Sequence, residues 1–239
     1  MKVTLINHTQ NAAELLLFTK STRLQLNSVL MNSIEEMPEC DKMSELEYMA
    51  NTIPSSWEFV DYTFLIEGVS RAYTHQQVRT RAASYAQQTM RVLDMGEFDY
   101  VYSDAILADV EAKRCVDSCL KGIKSHYREL ILRGIAPEDA RGILPTNIAT
   151  NIVCKFNLRT LSELAKSRTG GRTQGEYQKV INACIDAALA VHPWAEKFLF
   201  TQSRDYFQEI EEFALRKFPD LKERGELLKI VDKMRKESK

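Results

Sequence analysis

Apolar residues Val116, Leu120, Ile123, Tyr127 and Leu130 recur at 4-3-4-3 spacing, which lines up one side of a helix. The spacing predicts a long helix over 104–132, with Gly134 as its left-handed cap. A different period rules 57–69, WEFVDYTFLIEGV. There Phe59, Asp61, Thr63 and Leu65 alternate with Val60, Tyr62, Phe64 and Ile66, which predicts a strand covered on both faces. Shorter strands are predicted at 3–6 and 149–157 (ATNIVCKFN). Helices are predicted at 12–19, 43–50, 158–166 and 174–192, and another from an N-cap at Ser70 toward Arg79. Pro137, followed by Glu138 and Asp139, opens a short helix that Pro145 stops. Residues 169–172 (TGGR) read as a loop, and Pro193-Trp194 as a break before a charged helical tail. The fold class is α/β, or α+β, and helix-rich: a central sheet flanked by long helices.

Composition narrows the function classes. The 239 residues carry 32 Lys and Arg against 33 Asp and Glu, a net charge of -1, so a globally basic nucleic-acid binder is not expected. With 44% hydrophobic residues the chain is not expected to be disordered, and no apolar run approaches a membrane span. The opening Met-Lys-Val-Thr-Leu-Ile-Asn-His has no signal-peptide pattern, so a cytoplasmic location is expected. Cys40, Cys115, Cys119, Cys154 and Cys184 form no C-x-x-C, and the histidines form no zinc pattern. Reduced, mostly buried cysteines and no metal are expected. Neither common nucleotide-binding glycine fingerprint nor a serine nucleophile elbow occurs.

Candidate chemistry lies in arginines. Residues 76–91, QQVRTRAASYAQQTMR, hold three arginines, no acidic residue and many neutral hydrogen-bonding side chains. The planar fork of arginine suits phosphate, although Arg-x-Arg is also common on solvated faces. A second group, Arg141, Asn157, Arg159, Arg168 and Arg172, shares its stretch with Asn147 and Asn151. Together they read as a local anion pocket in a near-neutral protein.

These motifs, in this order, resemble the flavin-dependent thymidylate synthases (ThyX). The family signature R-H-R-x-x-S-x-N-E-x-S-x-R-Y is matched by Arg79-Thr80-Arg81-x-x-Ser84-x-Ala86-Gln87-x-Thr89-x-Arg91-Val92, after a strand-like YTFLIEG and on what the family has as a helix. Residues 134–145, GIAPEDARGILP, resemble the family's G-x-x-x-E-x-A-R-x-x-L-P. Asn157-Leu-Arg159-Thr-Leu161 resembles N-x-R-S-L. Arg168, Gln174 and Glu176 match its arginine and A-Q-x-E, and Pro193-Trp194 also fits, so the resemblance covers roughly 55–200.

The resemblance implies a homotetramer with FAD between subunits, methylenetetrahydrofolate as carbon donor and NADPH as reductant. It implies a ThyX-like catalytic domain over 1–202 and a charged helical extension over 203–239. By motif position Arg79, Thr80, Arg81, Asn157 and Arg159 are expected at the cofactor. Gln76, Gln87, Thr89, Arg91, Arg141 and Arg168 are expected at a pyrimidine deoxynucleotide, dUMP or dCMP, with Arg168 and Gln87 nearest the chemistry. No membrane or nucleic-acid partner is implied. The chain departs from the family at several positions. The signature His is Thr80, Asn is Ala86, Glu is Gln87, Ser is Thr89 and Tyr is Val92. Phe59 and Arg172 stand where two further histidines are expected. Glu to Gln removes a charge and adds a donor. Three readings therefore stand: dUMP methylation to dTMP with FAD hydride, hydroxymethylation of dUMP or dCMP if water meets the methylene carbon, and a non-catalytic nucleotide- or flavin-binding scaffold.

Overall fold

The computed structural model describes residues 1–24, 31–93, 95–170, 173–200, 206–217 and 221–237. In chain order these form β1 (Lys2–His8), α1 (Ala12–Leu24), α2 (Met31–Glu35), α3 (Glu39–Thr52), β2 (Asp61–Ser70), α4 (Arg71–Gln77) and β3 (Ala83–Gln87). Then come α5 (Asp104–Ala108), α6 (Val110–Leu132), α7 (Pro137–Ala140), β4 (Ala149–Asn157), α8 (Leu158–Arg168), α9 (Gly175–Val191), α10 (Glu196–Leu199), α11 (Tyr206–Lys217) and α12 (Leu221–Glu237). Arg172 lies outside the described residues.

The strands form one antiparallel sheet in the order β1-β2-β4-β3. Alternation gives it one dry face: Tyr62, Phe64 and Ile66 of β2 and Ile152, Cys154 and Phe156 of β4 are buried, with α8 and α9 packed on the sheet. On the other face Asp61, Thr63 and Leu65 are only half-buried, so the expectation of a strand covered on both faces is corrected for the single chain. Pro54 fixes a helical φ, so 54–59 form a 3-10 helix and the strand starts at Asp61 rather than Trp57. The indole of Trp57 donates to Met49 O at 3.1 Å.

The predicted helix over 104–132 is two helices. The Asp109 carboxylate accepts from Glu111 N and Ala112 N, capping α6 and ending α5. Along α6 Leu120 and Tyr127 are buried and Val116 and Ile123 half-buried, as the stripe requires. Tyr127 joins Met95, Phe98, Ala140 and Ile148 in a second, smaller core. Gly134, at φ 79°, ends the helix. Cys154 and Cys184 are buried, but Cys40, Cys115 and Cys119 are exposed, which corrects the expectation of mostly buried thiols; all five are unpaired.

Met1–Phe200 and Thr201–Lys239 form two compact units. In the second, α11 and α12 pack together, with Ala214 and Val231 buried. Among the described residues no helix is long and apolar enough to cross a membrane.

Candidate active site

The arginine-rich segment is not one helix. Ser70 caps α4, its hydroxyl accepting from Tyr73 N at 3.0 Å, but the helix ends at Gln77. A turn then carries Arg79, Thr80 and Arg81 into β3, whose residues form the sheet edge. This turn is tied from three sides. The Tyr85 hydroxyl lies 2.8 Å from both Gln77 O and Thr80 O and accepts from Gln77 Nε2 at 3.2 Å. Burial pushes its phenol up to about 12, so it stays protonated and available as a donor at neutral pH. The Thr160 hydroxyl donates to Ala82 O at 2.9 Å, fastening the turn to α8. The fully buried Gln77 accepts at 3.1 Å from the Tyr73 hydroxyl.

Asn157 and Arg159 sit beside this turn. Register pairs Ala83 with Phe156, so Asn157 follows at the same end of the strand pair. The Asn157 Oδ1 accepts from Thr160 N at 2.8 Å and caps α8. Arg159 donates to Glu58 at 2.8 Å and Glu163 at 3.3 Å, carboxylates that push its guanidinium further up. Arg168, in the last turn of α8, lies 5.1 Å over the ring of fully buried Tyr177. The Arg168 Nε and the Tyr177 hydroxyl are both buried and complete no well-formed hydrogen bond, and burial pushes the phenol up while nearby Thr80 and Arg168 act against it.

The other end of β3 gathers a second set. Gln87 pairs with Ile152, and its Nε2 donates to Thr74 Oγ1 at 2.6 Å. Thr74 in turn donates to Arg71 O at 3.1 Å. Past the strand, the Thr89 hydroxyl accepts from Arg91 N, and exposed Arg91 pairs with Glu138 at 2.6 Å. The Arg141 Nε donates to Glu138 O at 3.0 Å. Gln76 is further along α4 and donates to Gln174 Oε1.

Arg71 belongs to this second set and was missed in the sequence. Its Nη2 donates to Gln88 O at 3.0 Å, while its Nε is buried without a partner. Burial and then the charge of Arg141 push its guanidinium down, as expected where two cations lie close and neither is paired with a carboxylate. A signal was present. Ser70 as N-cap puts a cation at the first helical position, against the helix dipole, and such a local conflict marks a functional site. Among the described residues Arg71, Arg79, Arg81, Arg141 and Arg168 make no ion pair with a carboxylate. Most of the predicted residues thus fall into two groups separated by β3, about 14 Å of strand, while Gln76, whose O accepts from Arg79 N at 3.1 Å, adjoins the turn. Two clefts, of about 540 and 380 Å³, are lined by none of them.

The family model for the thymidylate synthase complementing protein, Thy1, matches residues 4–194. The chain belongs to this family. Among curated Thy1 relatives, the flavin-dependent thymidylate synthase of Nitratidesulfovibrio vulgaris is 36% identical over 172 residues, 68% of this chain and 70% of that one. The flavin-dependent thymidylate synthase of Pyrococcus furiosus is 33% identical over 185 residues, 75% of each chain. A crystal structure of the Helicobacter pylori Thymidylate Synthase X with FAD and dUMP has the same fold: TM-score 0.66 at 20% identity, over 84% of this chain and 97% of that one. The Thy1 match spans both arginine groups and ends before α10, so α11 and α12 lie outside it.

Proposed function

We propose that this chain is a flavin-dependent thymidylate synthase that transfers a one-carbon unit from methylenetetrahydrofolate to C5 of dUMP. Residues 1–202 form the catalytic domain in this reading. The observation that carries it is the set of arginines without carboxylates, placed in two groups on the segments the Thy1 model matches. A near-neutral protein that leaves Arg71, Arg79, Arg81, Arg141 and Arg168 without a carboxylate among the described residues is suited to take anions from outside.

The residues fit FAD. Arg79 and Arg81 project exposed from a turn that Tyr85 and Thr160 immobilise, which suits a diphosphate, and Thr80, Asn157 and Arg159 border it. When bound, the flavin supplies hydride for the new methyl group, and NADPH restores it. The residues' own part is positioning and charge. Arg71, Arg91 and Arg141 hold the nucleotide phosphate, with Thr89 beside them. Gln87 gives its amide N–H to Thr74 and keeps Oε1 to accept from the pyrimidine or the sugar. Gln76 orients the nucleotide from α4. Arg168, held over Tyr177 with Nε unsatisfied, turns toward the reacting base.

The separation of the two groups along β3 and their absence from the clefts support a site completed between chains, and hence the homotetramer. Five unpaired cysteines fit the cytoplasm. The deciding experiment is product mass after incubation with methylenetetrahydrofolate and dUMP or dCMP, with and without NADPH. The expected result is dTMP from dUMP, dependent on NADPH, from a yellow protein. A hydroxymethyl product independent of NADPH, or nucleotide binding without turnover, would replace this reading.

A further inference from the structure

Helix α4 has seven residues, too few to hold its own position, yet it carries Arg71 at its start and Gln76 near its end. Its start is held by Arg71 N on Ile148 O at 3.1 Å and Ala72 N on Thr146 O at 2.8 Å, its end by Gln77 on Tyr85, and the first turn of α9 adds two further clasps. The Glu176 carboxylate accepts from Ser70 N at 2.7 Å through one oxygen and from Ser70 Oγ at 2.5 Å through the other. Ser70 is itself buried, and the same hydroxyl accepts from Tyr73 N to cap α4. Two residues before Glu176, Gln174 Oε1 accepts from Gln76 Nε2. Between these clasps the rings of Tyr73 and Tyr177 meet edge to face, 5.2 Å between centroids. The carboxylate therefore stands at the N-termini of two helices at once, where negative charge is favoured.

Resting on the proposed nucleotide site, we propose that Glu176 is a positioning residue: it sets the place of α4 through Ser70 and so aims Arg71 and Gln76 at the nucleotide. The neighbouring element makes the inference specific. The Arg79–Arg81 turn follows α4 directly, but it has ties of its own that do not pass through α4: Tyr85 of β3 donates to Thr80 O and Thr160 of α8 donates to Ala82 O. Loss of the clasp should therefore loosen the nucleotide end and leave the flavin end in place. A carboxylate needed only for general stability would weaken both ends together.

The test measures dUMP dissociation constants, flavin content and steady-state kinetics for the full chain and for Glu176→Ala, Glu176→Gln and Ser70→Ala. Glu176→Ala leaves Ser70 N unmet in a buried place, and dUMP affinity should fall about tenfold or more with KM rising more than kcat falls and flavin content unchanged. Glu176→Gln keeps one acceptor for Ser70 N and should recover affinity to within about threefold of the parent. Ser70→Ala keeps the backbone bond to Glu176 and should lie between the two, which serves if Glu176→Ala does not fold. Unchanged dUMP affinity in folded Glu176→Ala, or equal loss of flavin and nucleotide in Ser70→Ala, would overturn the proposal. Failure of the parent protein to bind dUMP would instead remove the nucleotide-site reading on which it rests.

Discussion

The two ends of the β3–β4 pair are built differently. At the Arg79–Arg81 end, the turn itself is tied inward: Tyr85 to Gln77 and Thr80, Thr160 to Ala82, Asn157 to the α8 N-terminus. At the Arg91 end, Gln87 is tied inward to buried Thr74, but past the strand Glu138 occupies the guanidinium of Arg91 in an exposed ion pair. Under the proposed function the second end would exchange one partner for another: an exposed pair is worth only about 0–1 kcal/mol, so a phosphate would displace Glu138 at small cost. Rigidity at one end and exchange at the other suit a resident cofactor and a substrate that leaves each turnover.

Arg71→Ala should break the comparison hardest, because this guanidinium is half-buried and has no carboxylate to replace. Nucleotide affinity should fall by about 1.5–3 kcal/mol, roughly 10- to 150-fold, with flavin content unchanged; calorimetry with dUMP measures the first and absorbance the second. Tyr85→Phe attacks the opposite end. It leaves Gln77 Nε2 and the turn carbonyls without the phenol, costing about 1–3 kcal/mol in urea unfolding and lowering flavin content more than dUMP affinity. Equal losses in both ligands would mean that the ends are not independent.

Gln87→Glu is expected to be milder. The new carboxylate must accept from Thr74, which then gives up its bond to Arg71 O. The ratio of dUMP to dCMP affinity should shift by about tenfold if Gln87 meets the base, and both should shift alike if it meets the sugar. The smallest expected effect is a gain: Glu138→Gln frees Arg91 and should tighten dUMP binding by at most about 1 kcal/mol.

Acid should weaken the main core beneath the sheet that carries both ends. His192, buried beside Tyr62 with 3.0 Å between Nδ1 and the hydroxyl, is pushed down to about 4 by burial and by His8. The unfolded chain binds this proton near the ordinary 6.5, so between about 6.5 and 4 the unfolded state holds more protons than the folded one. This contribution to stability is complete above that window and is lost as pH falls through it, at up to about 1.4 kcal/mol per pH unit. His192→Phe should flatten the slope measured by urea unfolding across those pH values.

The sequence by itself determined the family, through short motifs in one order, and part of the local punctuation: Ser70 and Gly134 act as the caps their residue types imply. It also set most of the arginines apart, because charge type and spacing are local properties. β3 was not legible. Ala83-Ser84-Tyr85-Ala86-Gln87 has little strand propensity and becomes a strand through pairing with residues about seventy positions later. The break at Asp109 was likewise hidden, since the apolar stripe begins only at Val116 and says nothing of where the backbone is capped. Only the tertiary structure decided which arginines lack a carboxylate, that Arg71 stands beside Arg141, and that the groups divide along a strand. Those properties depend on partners distant in sequence, and a spacing along one chain carries no information about what the fold packs against it.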